Sequence, residues 1–183
     1  MNRVLFGKTV VVGLMLLLVL GGCSKKKDDD SGGGGEPADG VIDQQQTQVT
    51  NYQVLLVDMA QSFKPSCNCH ITKAYVYLGV TNWGENFYIR LKSDNSNSPG
   101  TTLKSVTIAD TEVPEGGGWI EVDWGDQSVT KDTRYWIYIE SIDNSHKWGY
   151  KTGNPYARGN AWSTDVENNT DIDFMFKIFR LEL

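Results

Sequence analysis

Between Val41 and the C-terminus, hydrophobic residues recur at every second position over short runs and never hold the spacing of a helical face. Ala74, Val76, Leu78 and Val80 alternate with Lys73, Tyr75 and Tyr77, and Phe87, Ile89 and Leu91 alternate with Tyr88, Arg90 and Lys92. The same period sets Ile120, Val122 and Trp124 against Trp119, Glu121 and Asp123, and Tyr135, Ile137 and Ile139 against Trp136, Tyr138 and Glu140. A last run carries Ile172, Phe174, Phe176 and Ile178. Each predicts a strand with one buried face, because successive side chains of an extended chain point to opposite sides. Turn-forming residues separate the runs at Ser93 to Thr102 (with Pro99-Gly100), Glu115 to Gly118 and Asn168 to Asp171. Weaker strands around Gln53 to Phe63, Leu103 to Ile108, Lys147 to Thr152 and Ala161 to Val166 bring the total to about eight to ten. That number in one compact domain predicts an all-β fold of two packed antiparallel sheets with almost no helix. A jelly-roll-like β-sandwich fits better than a closed barrel.

The chain before Val41 follows other rules. Arg3 and Lys8 precede an uncharged stretch from Thr9 to Ser24 dominated by Val and Leu. At sixteen residues the stretch falls short of the about 20 that span a bilayer, and it reads as a signal-peptide core. Its end, Leu20-Gly21-Gly22-Cys23, resembles a bacterial lipobox. That resemblance implies cleavage after residue 22, acylation of Cys23 and attachment by several acyl chains at about 0.8 kcal/mol per buried methylene. Ser24 after the cysteine resembles the outer-membrane sorting pattern. Lys25, Lys26 and Lys27, then Asp28, Asp29 and Asp30, then Ser31 and Gly32 to Gly35 contain no hydrophobic residue, so residues 23–40 read as a flexible spacer. The basic-then-acidic order also resembles the surface-export signal of some bacterial surface lipoproteins. The predicted organisation is a signal peptide over 1–22, a lipidated linker over 23–40 and a sandwich over 41–183.

Charge narrows the partners. From Cys23 onward 15 basic residues face 23 acidic ones, a net charge of −8, which disfavours nucleic acid and anionic lipid surfaces. Membrane contact is then expected through the N-terminal lipid alone. Two histidines leave little room for histidine-based catalysis or zinc chemistry, and no motif calls for a cofactor. Of the 6 Trp, 8 Tyr and 6 Phe, all but Phe6 follow residue 50.

Several short motifs occur in this order: Gln61-Ser62-Phe63, the run from Ile71 to Leu78, Leu91 with Ser93-Asp94 and Pro99-Gly100 through Leu103, Tyr135-Trp136-Ile137, and Trp148-Gly149-Tyr150 through Asn154-Pro155-Tyr156. Over residues 53 to 179 they resemble the choice-of-anchor type of jelly-roll module found in secreted and surface-attached bacterial proteins. The resemblance implies a non-catalytic extracellular module that binds glycans or surfaces, and it carries no catalytic residues with it.

Four clusters are candidates for chemistry. Aromatic residues exceed what one edge strand needs to bury between Trp148 and Trp162, where Trp148, Tyr150, Tyr156 and Trp162 are interleaved with Asn154, Arg158 and Asn160. Sugars are bound by aromatic platforms beside polar side chains, so this segment, with Trp83 as a further candidate, predicts a polysaccharide site. Core packing is the competing assignment for Trp148 and Tyr150. Glu121-Val122-Asp123-Trp124-Gly125-Asp126 is similar to the E-x-D-x-x-E motif of laminarinase-like glycoside hydrolases, with a bulge at Trp124-Gly125 turning Asp126 to the side of Glu121. The final Asp and the short chain depart from that pattern, and solvated strand carboxylates account for these residues without catalysis. Cys67 and Cys69 flank Asn68 before His70. A local disulfide, free or intermolecularly paired thiols and a metal site all remain open for them after export to an oxidising compartment. Asp94, Asn95 and Asn97 suit either a calcium loop or a solvated turn. The expected function is glycan or surface binding by an anchored, non-enzymatic module; a self-associating subunit of a surface layer or fibre and a small hydrolase using Glu121 and Asp126 are the alternatives.

Overall fold

The computed structural model describes residues 40–181 except 83, 141–144 and 166–168, all within the compact unit Glu36–Leu183. Cys23 and Trp83, both singled out above, lie outside the described residues. The chain folds as two antiparallel sheets packed face to face, a jelly-roll-like β-sandwich. One sheet has seven strands, β1 (Val41–Gln46), β2 (Asn51–Val54), β4 (Cys69–Val80), β7 (Gly118–Val129), β9 (His146–Thr152), β11 (Ile172–Phe174) and β12 (Phe176–Arg180). The other has five, in the order β10 (Ala161–Ser163), β3 (Met59–Phe63), β8 (Tyr135–Ile139), β5 (Phe87–Asp94) and β6 (Pro99–Ile108). A single 3-10 turn, Asp110–Glu112, is the helical element among the described residues, so no helix there is long and apolar enough to cross a membrane.

The alternating positions fill the space between the sheets. Ala74, Val76 and Leu78 from β4, Ile89 and Leu91 from β5, Val122 from β7 and Ile137 and Ile139 from β8 are all fully buried. Each large aliphatic among them contributes about 1.5–3 kcal/mol by leaving water. The expected last strand is two strands of unbroken parity, β11 and β12, separated at Met175. There the backbone passes from one neighbour to another: the Met175 amide donates to the Gly149 carbonyl (2.8 Å), and the Met175 carbonyl accepts from the Tyr77 amide (3.4 Å). Strand β4 is therefore flanked by β7 along one edge, and by β12 and then β9 along the other.

Polar residues also enter the core. Gln44 and Gln46 of β1 are buried, although that strand shows no hydrophobic alternation. The Gln46 amide donates to the Asp173 carbonyl (3.0 Å), and Gln61, itself fully buried, donates to Asp173 Oδ1 (3.0 Å) and accepts from the Phe174 amide (2.7 Å). Cys67 and Cys69 form a disulfide at the entrance to β4. Beside it, Asn68 Oδ1 accepts the Lys131 amide (2.8 Å), tying that entrance to the loop after β7.

Candidate functional site

The segment from Trp148 to Trp162 does not assemble one platform. Trp148 is 0% exposed, stacked on Phe174 at 4.5 Å, with its indole N–H donating to the Met175 carbonyl (2.9 Å). Tyr156 is 7% exposed, set edge-on to Phe176 (5.0 Å), and its hydroxyl donates to Gln44 Oε1 (2.7 Å). Burial pushes the Tyr156 phenol up to about 12. Both side chains are thus core, which corrects the expectation that they meet a ligand. Tyr150 is half-buried, edge-on to the same Phe174. Arg158 is exposed, yet its guanidinium is occupied by Asp132 (2.8 Å) and by the carbonyls of Lys64 (3.1 Å) and Pro65 (3.3 Å). The physical reason lies in Gly159: a Cβ there would stand 2.0 Å from the Ser62 carbonyl oxygen. Glycine lets the loop press onto β3 and against the Tyr156 ring, while Trp148 points inward by the parity of β9.

Trp162 is half-buried, 6.4 Å from Tyr138, and lines a cleft of about 170 Å³ with Gln53, Val57, Met59, Ile172 and Phe174. A space of that size takes one small ring. On the same solvent side of the five-stranded sheet, Trp136 is 0% and Tyr138 7% exposed despite their outward parity. The Trp136 indole donates to Asp94 Oδ1 (2.8 Å), Lys92 sits 3.8 Å from the Tyr138 ring centre, and the Tyr138 hydroxyl hydrogen-bonds Asp58. Burial, then that hydrogen bond, raises the Tyr138 phenol far above its ordinary range.

The other acidic and polar candidates are committed to local structure. The register of β7 slips opposite Ile71 and Lys73, and Gly125 has φ +59°, so the bulge expected at Trp124-Gly125 is formed. Asp123 Oδ1 accepts the Gly125 amide (2.8 Å), Glu121 is bound by Lys73 (3.3 Å) and the Tyr75 hydroxyl, and Asp126 is exposed. Asp94 accepts from Trp136 and, more weakly, from the Asn97 amide (3.3 Å), closing the turn that holds Asn95. Among the described residues no cluster of histidine, cysteine and acidic side chains is placed to hold a metal ion. Ser145, His146 and Asp110 form a chain, Ser145 Oγ to His146 Nδ1 at 2.8 Å and His146 Nε2 to Asp110 Oδ1 at 2.9 Å. All three are buried and Phe87 covers the imidazole at 4.5 Å, so the hydroxyl is out of reach of a substrate.

Tyr88 of β5 is 44% exposed with Arg90 over its ring at 5.0 Å, but it stands apart; the contiguous group of half-buried aromatics lies on the solvent face of the seven-stranded sheet. Register places Tyr77 opposite Trp119 and Tyr75 opposite Glu121 across β4 and β7, Lys177 opposite Tyr75 and Phe179 opposite Lys73 across β12 and β4, and Ile42 opposite Phe179 across β1 and β12. Tyr52 of β2 faces Gly149 of β9. The rings touch in sequence: Tyr52 to Tyr77 at 6.2 Å, Tyr77 to Trp119 at 5.4 Å, and beside them Tyr75 to Phe179 at 5.4 Å. All five are half-buried, and Ile42 is 41% exposed at the margin. Three ammonium groups stand over them, Lys73 at 5.7 Å from both Tyr75 and Phe179, Lys147 at 4.8 Å from Tyr52 and Lys177 at 4.4 Å from Trp119. Burial, then hydrogen bonding to Tyr77, raises the Tyr52 phenol, while for Tyr75 the Glu121 hydrogen bond comes first and burial second.

Glycine makes this arrangement fit. A Cβ on Gly117 would lie 2.9 Å from Tyr52 Oη and 3.0 Å from Tyr77 Cε1, and one on Gly149 would lie 3.2 Å from Tyr77 Cδ1 and 3.0 Å from Met175 Sδ. The two missing side chains leave the floor on which the rings lie. The signal was present in the outward parity of Tyr75, Tyr77 and Trp119, but Tyr52 and Phe179 join them only through strand pairing remote in sequence. No protein-family model matches the chain, and no curated protein matches it either.

Proposed function

We propose that the domain is a non-catalytic glycan-binding module, displayed on the outer membrane through acylated Cys23 and a short linker, and that the solvent face of the seven-stranded sheet is its platform. The observation that carries this reading is the ring-to-ring contact of Tyr52, Tyr77 and Trp119 on an open sheet face, with Tyr75 and Phe179 beside them. The solvent side of an antiparallel sheet is ordinarily polar, and five aromatic rings there are a costly choice for a face that meets only water. Sugar rings offer an apolar face to such rings and hydroxyl edges to the flanking Lys73, Glu121 and tyrosine hydroxyls. The lipobox resemblance at Cys23 and the resemblance to surface-attached jelly-roll modules agree with a display role. Glu121 fits this role better than catalysis, since Lys73 and the Tyr75 hydroxyl already engage its carboxylate on the exposed face of β7.

The test is affinity electrophoresis of the domain in gels containing polysaccharides, with reducing-sugar release measured in parallel. Retardation without sugar release, lost in Trp119→Ala and kept in Tyr156→Phe, is expected. Retardation unaffected by Trp119→Ala removes this face as the platform. Concentration-dependent oligomers with no retardation on any polysaccharide favour the self-assembling alternative, and sugar release abolished by Glu121→Gln restores the hydrolase.

A further inference from the structure

We infer that the polysaccharide taken by this face is acidic, its sugar rings bearing carboxylate or sulfate groups; the inference rests on the reading of the face as a glycan platform. The argument is one of charge placement. Among the described residues, Lys147 and Lys177 have no carboxylate partner, and each ammonium instead stands over an aromatic ring, Tyr52 and Trp119 respectively. These two cations sit at opposite flanks of the Tyr52–Tyr77–Trp119 band. A cation held only by the face of a half-buried surface ring is held weakly, and a charge-assisted hydrogen bond to an anionic oxygen is the stronger partner. A sugar stacking on the ring would therefore displace the ammonium onto its own acidic group, so that one residue pair, lysine and aromatic, reads both halves of an acidic sugar.

The acids on the same face do not cancel these charges. Glu121 is engaged by Lys73 at 3.3 Å and by the Tyr75 hydroxyl. Asp123 accepts the Gly125 amide at 2.8 Å. Both belong to β7, the edge away from β9 and β12, which leaves the β9 and β12 side with cations alone in register with the rings. The five-stranded sheet supplies the contrast. It too pairs cations with aromatics, but Arg90, 5.0 Å from the ring of exposed Tyr88, is also bound to Glu140 at 2.7 Å, and Lys92 sits 3.8 Å from the ring of Tyr138, which is buried like Trp136. In a chain of formal net charge −6, an anionic polymer is repelled by most of the surface, and free cations in a ring-lined face fix where it docks.

The experiment uses the intact domain on a panel of immobilised polysaccharides, acidic (polygalacturonate, alginate, chondroitin sulfate) and neutral (xylan, laminarin, fully methyl-esterified polygalacturonate), at low and at 0.5 M sodium chloride, about a Debye length of 4 Å. Retention by acidic members, weakened by salt and reduced about tenfold or more in the Lys147→Gln, Lys177→Gln double variant, is expected, with Lys→Arg at both positions retaining most of it. Circular dichroism of the double variant should match the parent and its unfolding midpoint should fall only slightly, since both side chains are half-buried and each gives up one ring contact. Retention by neutral members alone, insensitive to salt, overturns the acidic ligand while leaving the glycan platform standing. Retention by acidic members that the double variant leaves unchanged overturns the assignment to these lysines, and absence of retention on every member overturns both readings.

Discussion

Trp119 stands edge-on to Tyr77 across the β4–β7 pairing, ring centres 5.4 Å apart and planes at 82°, on the side of the sheet that faces solvent. A cross-strand aromatic pair of this kind adds about 0.5–1.5 kcal/mol beyond its area, whereas a tryptophan sealed between the sheets contributes several times more. Trp119→Ala should therefore lower stability by about 1 kcal/mol in urea titration and eliminate polysaccharide retention. Trp148→Ala, which empties a site 0% exposed, should cost about 3–5 kcal/mol. Equal destabilisation by the two would mean that the outer rings are structural, and the platform would lose its support.

The glycine floor makes a second expectation. Gly117 has φ +86°, and a Cβ added there meets Tyr52 and Tyr77 at 2.9 and 3.0 Å, while one on Gly116 meets nothing within 4 Å. Gly117→Ala combines an unfavourable backbone with displaced rings and should cost about 1–3 kcal/mol together with weakened retention. Gly116→Ala should change neither quantity. Retention unaltered in Gly117→Ala would show that ring placement is not what the ligand reads.

How much of this was legible in the chain depends on whether the deciding contacts are local. Parity alone puts Val76, Leu91, Val122 and Ile137 inside, and all are fully buried. It fails for β1, because the inward residues of that strand are Gln44 and Gln46, held by Tyr156 and Asp173 from elsewhere in the chain. It also fails for Trp136 and Tyr138, whose outward faces are covered by neighbours that parity cannot supply, Asp94 and Trp162 among them. The density of aromatics from Trp148 to Trp162 is real but largely structural: Trp148 stacks on Phe174 inside the sandwich, and Phe176 with the close approach of Gly159 to Ser62 holds Tyr156 in the core. The outer band is assembled in the opposite way. Its rings come singly from β2, β7 and β12 and in a pair from β4, so no window of sequence contains them together.

Tyr156 offers a direct check on its reassignment from ligand contact to core. Its hydroxyl donates to Gln44 Oε1 at 2.7 Å with both residues buried. Tyr156→Phe leaves that acceptor without its donor and should cost about 1–3 kcal/mol with no change in retention. A neutral substitution, measured by thermal unfolding, would mean that Gln44 finds another donor and that the bond contributes little.

Asp173 gives the fold a pH dependence of unusual sign. It is 0% exposed, Gln61 donates to one carboxylate oxygen at 3.0 Å and the Tyr156 amide to the other at 2.9 Å. Burial outweighs both hydrogen bonds and holds the carboxyl up at about 6, against an ordinary 3.8. The folded state therefore binds this proton more tightly than the unfolded chain does. The resulting stabilisation is fully present below about pH 3.8 and is lost as the pH rises through about 6. Most carboxylates slope the other way, so the effect is read as a difference against a variant that cannot titrate. Asp173→Asn presents an amide N–H to the Tyr156 amide or to Gln61, and it should be less stable than the parent at every pH. Because only the parent gains a proton, the gap in unfolding midpoint should widen as the pH is lowered from 7 to 4. A gap that stays constant over that interval would show that the Asp173 carboxyl titrates at its ordinary position and that its burial is fully compensated by Gln61 and Tyr156.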